Sequence, residues 1–103
     1  MNRLEASEAH ALLSGSPEWR YDGARGGTIT REFVFANFVQ AFGFMAEVAL
    51  LAEKCGHHPE WSNVYARVTI VLTTHDANGL SMKDIELARL IDEAHARHRA
   101  QAD

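Results

Sequence analysis

Three histidines stand out as the residues best suited to chemistry: the adjacent pair in "GHHP", His57 and His58, and His75, which directly follows the run "VTIVLTT". An imidazole titrates at about 6.5 when unperturbed, so it can give or take a proton at neutral pH without extreme tuning. Pro59 fixes its own φ and pushes His58 towards an extended conformation, which turns the two neighbouring side chains in different directions. His75 falls where the chain leaves a predicted strand, and loops leaving a rigid scaffold are where functional side chains concentrate. If that strand runs back beside the segment after Pro59, the three imidazoles converge as a general acid and base site.

Other chemistry at these residues is weaker. Three histidines can hold zinc with one open position, but adjacent histidines point apart and lack the i, i+4 spacing of helical ligands, so no metal is expected. Glu53 lies four residues before His57 and could fix its tautomer, or could simply be a solvated helix residue. Trp61 and Tyr65 can line a flat pocket or pack on a sheet. His10, His95 and His98 read as polar surface residues, and Cys55 as a small buried hydrophobe near a helix end. The sequence has no Ser-His-Asp order, paired carboxylates or phosphate-binding glycine loop, and "GARGG" is only a turn.

The elements that must position these residues follow from periodicity. Leu4, Ala9, Leu12 and Leu13 give a short opening helix over residues 5–14, stopped by "SGSP". "EWRYD" and "GTITREFVF" alternate large and polar residues around "GARGG", predicting a hairpin. From the N-cap Asn37, "NFVQAFGFMAEVALLAEKCG" predicts a long helix with Phe38, Val39, Phe42, Met45, Ala46, Ala49 and Leu50 on its apolar face and Gly56 at its end. "WSNVYARVTIVLTT" predicts a second hairpin reversing near Ala66 and Arg67. Ser81 and Asp84 are spaced as a capping box for a last helix that buries Ile85, Leu87, Ala88, Leu90 and Ile91. The order α-β-β-α-β-β-α predicts an α+β fold in which a single four-stranded antiparallel sheet is covered on one face by three helices.

Composition bounds the possibilities. The 103 residues suffice for one domain, taken as 1–103, with one core and no separate cofactor domain. Hydrophobic residues at 47% and charged residues at 23% fit a globular chain, and a net charge of -4 with interleaved signs argues against nucleic acid as a partner. One cysteine excludes an internal disulfide. No membrane span or signal peptide is evident, so a cytoplasmic setting is expected.

Residues 53–92 carry more than general chemistry. Glu53, His57, His58, Pro59, Trp61, Tyr65, Thr74, His75, Gly79, Leu80, Ser81 and Asp84 together resemble the signature of the pterin-4a-carbinolamine dehydratase family: an acid, three spacers, His-His-Pro, an aromatic-rich strand, Thr-His, then Gly-Leu-(Ser/Thr)-x-x-Asp. Trp19 and "REFVF" also fit, less specifically. Ser81 stands where Thr is commoner, and Cys55 and Gly56 occupy variable positions. The resemblance implies an α+β fold of four strands and three helices. It also implies a lyase that removes water from 4a-hydroxytetrahydropterins to give the quinonoid dihydropterin for recycling, without redox cofactor or metal.

Carried over, His57, His58 and His75 become the active-site histidines, with His57 and His75 favoured as the proton-transfer pair, His58 as a binding residue and Glu53 orienting His57. Gly56, Thr73, Thr74 and Asp76 become substrate contacts, with Trp61 available to stack on the pterin. The resemblance further implies homodimers or homotetramers and, in bacteria, a functional link to a pterin-dependent aromatic amino acid hydroxylase. Three alternatives remain: a protein-binding module of the dimerisation or coactivator type, action on another pterin such as a molybdenum-cofactor precursor, or, ranked last, a metal hydrolase.

Overall fold

The computed structural model describes residues 2–102; residues 1 and 103 of the expected domain lie outside it. The chain runs α1 (Ala6–Leu12), β1 (Arg20–Asp22), β2 (Thr28–Val34), α2 (Phe38–Cys55), β3 (Glu60–Val64), β4 (Arg67–Leu72) and α3 (Met82–Ala102), the order read from the sequence. Short 3-10 turns at Ala24–Gly26 and His75–Ala77 punctuate two of the connections. The strands form one antiparallel sheet, β1-β2-β4-β3, so the two hairpins join through their second strands.

Strand alternation decides which side of the sheet is packed. Ile29, Arg31 and Phe33 of β2 stand opposite Leu72, Ile70 and Val68 of β4, and Trp61 of β3 stands opposite Ile70. That row faces the helices: Ile29, Val68, Ile70 and Leu72 have no exposed surface. The β3–β4 turn is two residues long, and Tyr65 takes the positive φ (50°) that so tight a reversal demands.

The long helix turns a different face inward from the one its sequence suggests. Ala41, Phe44, Val48 and Ala52 are the buried stripe of α2, with Met45 and Leu51 beside it, whereas Val39 and Leu50 are 78% and 74% exposed and Phe38 and Phe42 about half exposed. The helix is apolar nearly all round, so hydrophobicity alone does not orient it; the fit of Phe44 against Phe33 (4.8 Å between centroids) and Phe35 (5.0 Å) does. Cys55 continues the buried stripe by spacing but lies a turn beyond Ala52, and it is exposed rather than buried.

Two of the histidines expected at the surface are partly buried between elements. His95 of α3 packs edge-on against Phe33 (5.0 Å), Phe35 (5.8 Å) and Phe44 (5.9 Å), while His98 bonds Glu47 of α2 at 2.9 Å. Arg31 has only donors, so at its 3.3 Å contact with His95 the imidazole Nδ1 must be the acceptor and carry no proton. Arg31 also donates to Asp92 at 2.7 Å, and the Trp19 indole donates to the same carboxylate oxygen at 2.8 Å, closing a polar layer beneath α3. His10 is exposed, beside the Tyr21 ring at 5.4 Å.

Burial, followed by the Arg31 charge, lowers the pKa of His95. The unfolded chain therefore binds more protons below about pH 6.5, so the stability that neutral His95 contributes is present above that pH and is lost as pH falls towards its folded value. Urea denaturation of the wild type and His95→Gln from pH 7.5 to 5 should show a smaller acid-side loss of stability in the variant; parallel curves would contradict the assignment.

Candidate functional site

The double histidine is delivered by the way α2 ends. Gly56 takes a left-handed conformation (φ 64°), its N–H bonds the Glu53 carbonyl at 3.1 Å, and the His57 N–H bonds the Ala52 carbonyl at 3.1 Å. This Schellman-type pair reverses the chain sharply, a conformation glycine takes at little steric cost. His57 is carried inward and His58 outward: the side chains are 10% and 66% exposed.

His57 meets a carboxylate with no exposed surface at all. Its Nε2 lies 2.5 Å from Oδ1 of Asp84, the third residue of α3, whose Oδ2 accepts from the Thr74 hydroxyl at 2.7 Å and from the Ser81 N–H at 3.0 Å. The Thr74 proton is committed to Asp84, so at the 2.8 Å contact between the hydroxyls Ser81 must donate to Thr74, while Ser81 Oγ accepts from the Lys83 N–H at 3.3 Å. Of the capping box read from Ser81 and Asp84, the bond from the Ser81 N–H to the Asp84 carboxylate is present, while Ser81 Oγ takes the Lys83 N–H instead of that of Asp84. The same acid holds His57 in one tautomer, with the proton on Nε2. That leaves Nδ1 as the ring nitrogen available to a ligand.

His75 arrives from the end of β4. Thr74 and Gly79 form an isolated bridge, through the Thr74 N–H to the Gly79 carbonyl (2.8 Å) and the reverse bond (3.3 Å), which closes the loop that presents His75 at 83% side-chain exposure. Thr73 anchors the strand end by donating to the Gly27 carbonyl at 2.8 Å. His75 Nε2 lies 4.0 Å from Glu60, and Arg25 forks onto Glu60 with two 2.7 Å bonds. That fork holds the Glu60 carboxyl below its usual range, so an anion stands beside His75.

The three imidazoles converge. Gly56, His57, His58, Thr73, Thr74, His75 and Asp76 line one open cleft of about 420 Å³, together with Pro59, Glu60 and Lys83. Two expectations need correction. Glu53 orients His58, at 2.8 Å, rather than His57, because the Schellman turn swings His58 back beside the last turn of α2 while His57 faces inward. Trp61 does not line the cleft: it shares the strand parity of Ile70 and packs against the core. Sequence reasoning gave Asp84 a place in the family signature and the role of a helix cap but no contact with His57, and gave Glu60, Arg25 and Lys83 no part in the site, although Glu60 adjoins Pro59 in the motif. Among the described residues, no three His, Cys, Asp or Glu side chains are placed to hold a metal ion, and no helix is long and apolar enough to cross a membrane.

Replacing Asp84 by Asn should leave a buried donor facing a donor, costing about 1–3 kcal/mol of stability, and should release the His57 tautomer. Imidazole ¹⁵N NMR of the wild type is expected to show the His57 proton on Nε2, with both tautomers populated in D84N; an unchanged spectrum would remove Asp84 from this role.

Comparison with known proteins agrees with this architecture along nearly the whole chain. The family model described as Pterin 4 alpha carbinolamine dehydratase matches residues 2–94. A Rhizobium johnstonii protein provisionally named a pterin-4-alpha-carbinolamine dehydratase is 50% identical over 97 residues, 94% of this chain and 95% of its own length. A Novosphingobium aromaticivorans protein with the same provisional name is 55% identical over 92 residues, 87% of this chain and 93% of its own. The crystal structure of a transcriptional coactivator/pterin dehydratase from Brucella melitensis superposes with a TM-score of 0.85 at 46% identity, covering 91% of this chain and 99% of that one. A pterin dehydratase-like RuBisCO assembly factor of the alpha-carboxysome shares the fold, with a TM-score of 0.66 at 23% identity over 76% of this chain and 89% of its own.

Proposed function

Because this chain belongs to the pterin 4 alpha carbinolamine dehydratase family, we propose that it dehydrates a 4a-hydroxytetrahydropterin to the quinonoid dihydropterin, with His57 and His75 moving the protons. The observation that carries this reading is the lining of one cleft by His57, His58 and His75, with a buried carboxylate behind the first. In the reaction the C4a–O bond breaks and the departing oxygen takes a proton to leave as water. The N5–H bond gives up its proton, and its electron pair forms the C4a=N5 bond. One donor and one acceptor are needed, and no net redox change occurs.

The two environments support a division of labour. An imidazolium formed when His57 Nδ1 accepts the N5 proton would face the Asp84 carboxylate already bonded to its Nε2, which suits His57 to the base. His75 lies at the rim, open to water for reprotonation and close to the Glu60 anion, which suits it to the acid that protonates the leaving oxygen. His58, paired with Glu53, is free to bind the substrate, with Gly56, Thr73, Thr74 and Asp76 shaping the cleft. A pterin-dependent aromatic amino acid hydroxylase is the class of enzyme that generates such a carbinolamine, and a reducing cytoplasm suits the exposed thiol of Cys55.

The rate of quinonoid dihydropterin formation from enzymatically generated carbinolamine tests the reading. His57→Ala and His75→Ala should each lose about 10²-fold or more while remaining folded. A wild-type rate no faster than the spontaneous reaction would refute the dehydratase assignment and favour the protein-binding alternative.

We further infer that the chain assembles with copies of itself through the outer face of α2. Phe38, Val39, Phe42, Ala46, Ala49 and Leu50 are all exposed there, with no charged side chain among them, and such a contiguous apolar face marks an interaction surface. Sedimentation equilibrium should find a dimer or larger species, reduced to monomer by Phe42→Glu with its circular dichroism unchanged. A wild-type monomer at micromolar concentration would overturn this inference.

A further inference from the structure

A second cleft of about 450 Å³ adjoins the first and shares Thr73, Thr74 and His75 with it. Its other lining residues are Arg3, Arg25, Gly26, Asn78 and Gly79, so its charged side chains besides the imidazole are two arginines, and no carboxylate lines it. In the proton-transfer chemistry proposed above neither arginine touches the reacting atoms, Arg25 acting only through Glu60.

The Arg3 backbone and stem are positioned by specific features, and the Arg25 guanidinium is bonded in place. The Leu4 N–H bonds the Leu80 carbonyl at 2.7 Å, which fixes the segment carrying Arg3, and the Arg3 stem lies so close over Gly79 that a Cβ there would fall 2.7 Å from Arg3 Cδ. Arg25 sits in a left-handed conformation (φ 59°) and is steadied by its fork onto Glu60. Between them the cleft wall is bare backbone: a Cβ on Gly26 would fall 1.8 Å from the Asn78 carbonyl oxygen, and one on Gly79 would fall 2.3 Å from that of Gly26. Two loops therefore meet with no side chain between them and leave a cationic recess beside the imidazole of His75.

The donors of that recess are largely uncommitted. Arg3 has one contact, at 3.5 Å to the Asn78 carbonyl, beyond ordinary hydrogen-bond length. Arg25 uses two of its five N–H groups on Glu60, which lines the neighbouring cleft and not this one. A planar guanidinium fork matches the oxygens of a phosphate or carboxylate.

We propose that this recess receives an anionic side chain of the substrate, so that the chain acts on pterins whose C6 substituent ends in a phosphate-type anion. The assignment rests on the pterin ring occupying the cleft of His57, His58 and His75. The substituent then crosses the shared wall at Thr73, Thr74 and His75 and ends between Arg3 and Arg25.

Isothermal titration with three stable 7,8-dihydropterins of matched side-chain length, ending in a hydroxyl, a carboxylate and a phosphate ester, tests this on the wild type and on Arg3→Gln. Arg3 is exposed and its backbone bonds do not depend on its side chain, so the variant should fold. The phosphate ester should bind the wild type roughly tenfold or more tightly than the alcohol, with the carboxylate between, and the advantage should shrink with added salt. Arg3→Gln should lose most of the advantage while binding the alcohol unchanged. Equal affinities for all three in the wild type, or an equal loss for all three in the variant, would overturn the subsite and leave the dehydratase reading standing. Failure of every compound to bind would overturn both.

Discussion

A carboxylate placed where no water reaches is unfavourable unless its oxygens are fully occupied, because burying an ion without partners costs several kcal/mol. Asp84 meets that condition by collecting donors from three places at once: an imidazole just past the end of α2, a hydroxyl just past the end of β4, and the N–H at the start of α3. Any element that drifts away leaves a buried charge short of a partner. The three segments that make the cleft are therefore pinned to one another by the cost of exposing that deficit.

This pin gives chemically identical side chains different properties. His57 is buried, fixed in tautomer and backed by an anion; His58 is tied to an exposed glutamate in a pair of the kind that contributes little stability; His75 stands exposed on a closed loop, with the Glu60 carboxylate 4.0 Å away. A reaction that moves one proton onto an oxygen and another off a nitrogen needs a donor and an acceptor in unlike surroundings, and the imidazole at the rim can exchange its proton with water between turnovers. The scaffold supplies that difference without unusual side chains.

Backbone contact does comparable work on the other side of His75. Gly26 and Gly79 approach so closely that neither tolerates a Cβ, which welds the β1–β2 connection to the β4–α3 connection. The Thr73 hydroxyl, bonded to Gly27, ties the same two segments, and the Arg25–Glu60 fork spans from the β1–β2 loop to the start of β3. His75 thus sits between two clefts, one lined by imidazoles and one flanked by arginines.

The sequence alone determined the order of elements, the two hairpins, the acid that caps α3 at Asp84, and the three histidines of the cleft, because each is written in local periodicity or in contiguous motif residues. What only the tertiary structure decided were matters of partner and direction. The inward face of α2 could not be read because the helix is apolar nearly all round and its orientation comes from Phe44 meeting Phe33 and Phe35. His95 and His98 looked like surface residues because their environment is built by α2 and β2, distant in sequence. Trp61 took the core side of the sheet through its register with Ile70. The exchange of partners, Glu53 to His58 and Asp84 to His57, turned on a single left-handed glycine and on a carboxylate 27 positions away. Such long-range pairing arises from packing and desolvation, which act between elements that are adjacent only after the chain has folded.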